Sequence, residues 1–209
     1  FYIEQISLYL IENDILEIKN DEYSLKKDIE EIPHGINAII IGRIDRLTRE
    51  LKEIVQNAAV LGREFEVEIL SRMLSGKVNE KSLDEGINEK IWLPLNQVKY
   101  IFKHNMMRDA AYNMQLKNKL RELHLIAGET LEKIHGSDKH KYADIAYHFE
   151  RGDSFDKAQS YYKTAGFDAK QDFKNYDAEK YLLSALKYTK DKSEKIEIRL
   201  MLGEAYYQM

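Results

Sequence analysis

The chain has 209 residues, 44% of them hydrophobic, with 36 acidic side chains against 32 Lys and Arg and a formal net charge of −4. That is enough apolar material for two or three small modules, and it leaves no global positive field to draw the chain onto nucleic acid or anionic lipid. The absence of cysteine removes disulfides, thiolate metal sites and thiol nucleophiles, and fits a reducing, cytoplasmic compartment.

Apolar runs fall short of the roughly 20 residues that a membrane span requires. The start, Phe1-Tyr2-Ile3-Glu4, has no Met, basic leader or cleavage site and reads as part of a longer protein. Only two prolines and ten glycines interrupt a sequence rich in Lys, Glu, Leu, Ile and Ala, which predicts a mainly α fold.

In chain order, Phe1 to Glu12 carries a helix-like apolar pattern closed by Asn13-Asp14. A polar stretch follows over 17–28, with Tyr23 and Leu25 as strand or tether residues, and Ile32-Pro33-His34-Gly35 forms a turn. Ile36 to Leu47 has near-helical spacing. Thr48 is a suitable N-cap for a helix that runs to Gly62. Further helices are predicted over 66–74, opened by Phe65, and over 79–91, and then two short strands over 92–95 and 98–102 flank Asn96-Gln97. Three helices followed by a hairpin is the order of a winged-helix domain.

From His104 onward helix follows helix: 104–115, 120–134, 142–150, 155–173, 176–188 and 193 to the end. The segments Phe155-Asp156-Lys157-Ala158 to Ala165 and Tyr176-Asp177-Ala178-Glu179 to Leu186 resemble each other. Both alternate aromatic and small residues, as stacked helical hairpins of the tetratricopeptide type do, although at a closer spacing than the roughly 34 residues of regular repeats. The expected organisation is therefore a helical segment at 1–47, a winged helix with a small β-hairpin at 48–103, a helical connector at 104–137 and a tetratricopeptide-like solenoid at 138–209.

No phosphate-binding loop is present; Gly76-Lys77 lacks the upstream glycine spacing and reads as a helix end. The run Ile39-Ile40-Ile41-Gly42-Arg43-Ile44-Asp45 imitates a magnesium-binding strand, but its spacing fits a helix better. His135 and His140 flank a turn and could chelate a metal, though loop histidines are usually solvated; His124 and His148 lie beside apolar residues as packing or hydrogen-bonded core-edge groups. The helix that would read DNA carries Glu80, Asp84, Glu85 and Glu89 against Lys81 and Lys90, which argues against duplex binding. Lys117, Lys119 and Arg121 form a short basic run at a helix end.

The remaining candidate is His104, where the apolar strand Tyr100-Ile101-Phe102 runs into the helix that begins Asn105-Met106-Met107-Arg108-Asp109. Helix starts present unsatisfied N–H groups and a positive dipole end, a setting suited to a phosphate.

The order of motifs resembles the C-terminal half of bacterial STAND-class, AAA-like signal-transduction ATPases. The likeness is carried by Phe1-Tyr2-Ile3-Glu4-Gln5-Ile6, by Ile32-Pro33-His34-Gly35-Ile36 with Gly42-Arg43-Ile44-Asp45-Arg46-Leu47, and by Ala58-Ala59-Val60-Leu61-Gly62-Arg63-Glu64-Phe65. Phe102-Lys103-His104, Asp109-Ala110-Ala111-Tyr112 and Leu123-His124 continue it.

The resemblance implies that a phosphate loop and magnesium acid lie in an ATPase core before Phe1, in cis, so that this stretch is itself non-catalytic and holds no cofactor, while the longer protein uses ATP or ADP with Mg. In that family a Met-His-Asp motif at the end of the winged helix touches ADP. Lys103-His104-Asn105 matches it only at His104, since Lys replaces Met and Asn replaces Asp. The implied function is to relay nucleotide state through the winged helix to repeats that bind a protein partner, with transcriptional or other signalling output. The competing expectations are a stand-alone interaction scaffold, or a DNA-binding regulator. The apolar end at Tyr206-Tyr207-Gln208-Met209 also makes a second copy of the chain a candidate partner.

Overall fold

The computed structural model describes residues 2–12, 14–19, 22–26 and 36–208. Among these the chain is mainly helical, with two small antiparallel sheets, and it divides into two compact units, Phe1–Gln115 and Leu116–Met209. The turn expected at Ile32 to Gly35 lies outside the described residues.

The first unit opens with α1 (Tyr2–Glu12) and a hairpin of β1 (Leu16–Lys19) and β2 (Glu22–Leu25), paired from Leu16 with Leu25 to Lys19 with Glu22. Helix α2 (Ile36–Arg46) buries Ile39, Ile40, Arg43 and Ile44 on one face, which settles the Ile39 to Asp45 run as helix. Helix α3 (Arg49–Leu61) is capped by Thr48, whose hydroxyl oxygen accepts the Leu51 N–H at 3.2 Å. Next come β3 (Glu64–Glu66), α4 (Val67–Met73) and α5 (Glu80–Asn88); Asn79 and Ser82 close α5 with a reciprocal capping box. Then β4 (Trp92–Pro94), β5 (Lys99–Phe102) and α6 (Asn105–Asn113) complete the unit.

The strand β3 corrects the expectation that Phe65 opens a helix. It lies at the edge of a three-stranded sheet of order β3-β5-β4, with Phe65 opposite Tyr100. Three residues are too few to display a two-residue alternation, so only pairing with β5 defines the strand. Phe65, Trp92 and Phe102 meet in pairs with centroids 5.5, 5.8 and 6.2 Å apart, each edge to face. Trp92 is fully buried and donates its indole N–H to the Leu83 carbonyl at 3.0 Å. Gly86 makes room for it, since a Cβ there would stand 2.2 Å from the indole ring.

In the second unit, α7 (Lys117–His135) is followed by a 3-10 turn (Lys139–Lys141), α8 (Tyr142–Arg151), α9 (Phe155–Gln171), α10 (Asn175–Tyr188) and α11 (Lys192–Tyr207). The expected connector over 104–137 is thus divided: α6 packs on α2 and α3 in the first unit, and α7 on α8 in the second.

Small residues bring the second unit's helices together. Ala158, Ala165 and Ala169 are buried on α9, Ala178 and Ala185 on α10, and Ala205 on α11. A Cβ on Gly166 would meet the Leu182 side chain at 2.6 Å, so any larger residue there forces Leu182 or the helices to shift. The two similar segments open α9 and α10, which are consecutive helices. This explains their close spacing: the likeness reflects one packing code used by neighbours in a stack.

Candidate functional site

His104 stands where β5 gives way to α6, and the main chain on either side is pinned. Phe102 N–H donates to the Arg63 carbonyl and Lys103 N–H to the Ile91 carbonyl, both at 2.9 Å. His104 is the N-cap residue in extended backbone, and its carbonyl accepts from Met107 N–H at 3.1 Å, but its ring makes no capping bond to α6. The side chain is therefore directed to something other than its own helix.

That partner is Glu4 in the first turn of α1. One carboxylate oxygen lies 2.6 Å from Lys103 Nζ and the other 3.4 Å from His104 Nε2. The hydrogen bond from Lys103 holds the Glu4 pKa below its ordinary value against the opposing effect of burial, with weaker help from Lys103, His104 and Lys90 as charges. Burial lowers the His104 pKa; the Glu4 charge opposes this and the Lys103 charge adds to it. The junction thus carries two adjacent cationic or cationisable groups and one carboxylate inserted between them.

Arg108, one turn into α6, donates its Nε–H to the Ala59 carbonyl at 2.9 Å and lies over the Tyr112 ring at 4.9 Å. It ties α6 to the end of α3 and so fixes the orientation of the junction. Nearby in the same unit, a cleft of about 340 Å³ is lined by Arg43, Arg46, Glu89 and Met107 among others; the buried Arg43 donates to the Glu89 carbonyl at 2.9 Å. No family model, no curated protein and no solved structure matches the chain.

The other sequence candidates disperse. No group of three or more His, Asp or Glu arranged to hold a metal occurs among the described residues, and His135 ends α7 while His140 lies in the 3-10 turn. His124 and His148 are buried, with their Nδ1 atoms 3.1 Å apart, so one ring donates and the other accepts across the α7–α8 contact. In the basic run, Lys119 pairs with Glu122 at 3.5 Å and Arg121 with Asp153 at 3.0 Å.

Two features escaped sequence reasoning. Glu4 is 99 residues from Lys103, and its only local sign is that it is an acidic residue in a helix's first turn. The second is a set of tyrosine hydroxyls donating to glutamates. Tyr162 and Tyr188 both reach Glu150, at 2.8 and 2.6 Å, and Tyr161 reaches Glu132 at 3.1 Å. Burial pushes the Glu150 carboxyl up, but the bonds from Tyr188, Tyr162 and Lys187 outweigh it and the net shift is downward. Burial and Glu132 raise Tyr161 to about 12, and burial with the Glu150 bond raises Tyr162 further.

Proposed function

We propose that this chain is a non-catalytic regulatory portion of a STAND-class, ATP-dependent signalling protein. In this reading residues 48–103 are its winged helix, His104 its nucleotide-phosphate sensor, and the second unit a tetratricopeptide-like surface for a protein partner. The single observation that carries it is the Lys103–Glu4–His104 cluster, which puts a ring nitrogen and an ammonium on one carboxylate instead of leaving the histidine as a helix cap.

An ATPase core in cis would place the ADP phosphates against His104. Exchange for ATP would remove that contact and shift the population toward an active arrangement. The acidic side chains of α5 and its C-cap, with Glu80, Asp84 and Glu89 exposed, support a role that does not involve duplex DNA, and gel-shift assays at low salt are expected to show no salt-dependent binding. The decisive test is His104→Ala in a chain that carries the core: ADP retained through gel filtration should fall and basal output should rise. Unchanged retention and output would leave the plain interaction scaffold, which the stacked alanine-rich helices of the second unit also favour.

A further inference from the structure

Glu4 occupies the position an anion must take to touch Lys103 and His104 together. Its two oxygens are divided between them, at 2.6 Å from Lys103 Nζ and 3.4 Å from His104 Nε2. The three side chains are 33%, 26% and 23% exposed for Glu4, Lys103 and His104, but the His104 Nε2 atom itself is covered, so an anion from solvent reaches it only once Glu4 withdraws. Lys90 also acts on Glu4 through its charge, so withdrawal of Glu4 leaves a locally positive junction.

The geometry points to Glu4 as a tethered competitor: α1 delivers a carboxylate that fills the Lys103–His104 pair until a phosphoryl group displaces it. This inference rests on the reading of His104 as a phosphate sensor and adds the regulation of that same site. Two consequences follow from linkage. The apparent affinity of a phosphoryl ligand is reduced by the fraction of molecules in which Glu4 is seated. By reciprocity, the ligand weakens the hold of α1 on the junction by the same factor.

The test is a titration of this 209-residue chain with inorganic pyrophosphate, followed by the His104 ring resonances. Glu4→Gln keeps the shape of the side chain and removes its charge. It is expected to tighten pyrophosphate binding about fivefold, the worth of one partly exposed ion pair, while Glu4→Gln combined with Lys103→Met returns binding to the original level or below. Thermal melting of Glu4→Gln beside Glu50→Gln, at an exposed position on α3, shows that the fold is kept.

Equal affinity with and without Glu4, or no binding by either chain, overturns the inference. The sensor reading fails separately: if Glu4→Gln tightens pyrophosphate while His104→Ala leaves ADP retention unchanged in the core-bearing chain, the competitor stands and the nucleotide role falls.

Discussion

The two units hold together by opposite means. In the first, bulky rings fill a mixed core, with Trp92, Phe65 and Phe102 wedged between short strands and helices. In the second, alanines and Gly166 let long helices approach until a Cβ on Gly166 would strike the Leu182 side chain, and tyrosine–glutamate bonds stitch their edges. A core of interlocked large side chains holds a loop junction such as Lys103-His104 in one position. A stack of helices with small contacts instead extends by repetition and offers surface. The contrast sets a junction held by large side chains in the first unit against a stack of small contacts in the second.

The sharpest way to break this comparison is Trp92→Ala. Removing a fully buried indole is expected to cost about 4 kcal/mol, and hydrogen exchange should show protection lost in amides of the first unit and kept in α8 to α10.

In the second unit the reverse change is informative. Gly166→Ala drives a Cβ into Leu182 and is expected to cost about 2 kcal/mol. Gly203→Ala on α11, where a Cβ meets nothing within 4 Å, should leave the melting temperature unchanged or raise it slightly.

Tyr188→Phe removes a 2.6 Å bond to Glu150 and should cost about 1 kcal/mol in urea denaturation. An equal melt would reduce the tyrosine–glutamate bonds to decoration.

The smallest expected effect is the junction's own share of the pH dependence. The His104 pKa is held below 6.5, so the unfolded chain binds the proton first and stability declines as pH falls below 6.5. The Glu4 pKa is held below 4.5, so its contribution is present above that value and is lost as pH falls through it. Melts between pH 7 and about pH 2 should show both losses in the parent chain, beside an acid loss from Glu150, whose pKa is also held low. In Glu4→Gln the Glu4 share of the acid loss should be missing while the other losses remain.

Most element positions were legible because they rest on local signals. Thr48 and Asn79 carry the oxygens that cap α3 and α5, and Gly62 follows α3 directly. Ile39, Ile40 and Ile44 share one face at helical spacing, which separated α2 from a strand. Illegible parts were those defined by a distant partner. The strand β3 exists through its pairing with Lys99 to Ile101. His124 and His148 each read as a core-edge group from their own neighbours, and only the packing of α7 on α8 brings their rings together.

At the site the division is the same. The histidine, its strand and its helix could be read from the chain, because a short apolar run followed by an amphipathic segment encodes a strand-to-helix junction by itself. Neither the direction of the ring nor the carboxylate it faces could be read, because Glu4 enters from the far end of the unit and no local pattern links positions 99 residues apart. Periodicity, caps and glycines determine where the backbone forms helices and strands, since those preferences act over a few residues. Which charge meets which was decided only when the tertiary fold brought α1 to the junction, since ion pairing depends on distance in space and leaves no mark on the sequence between its partners.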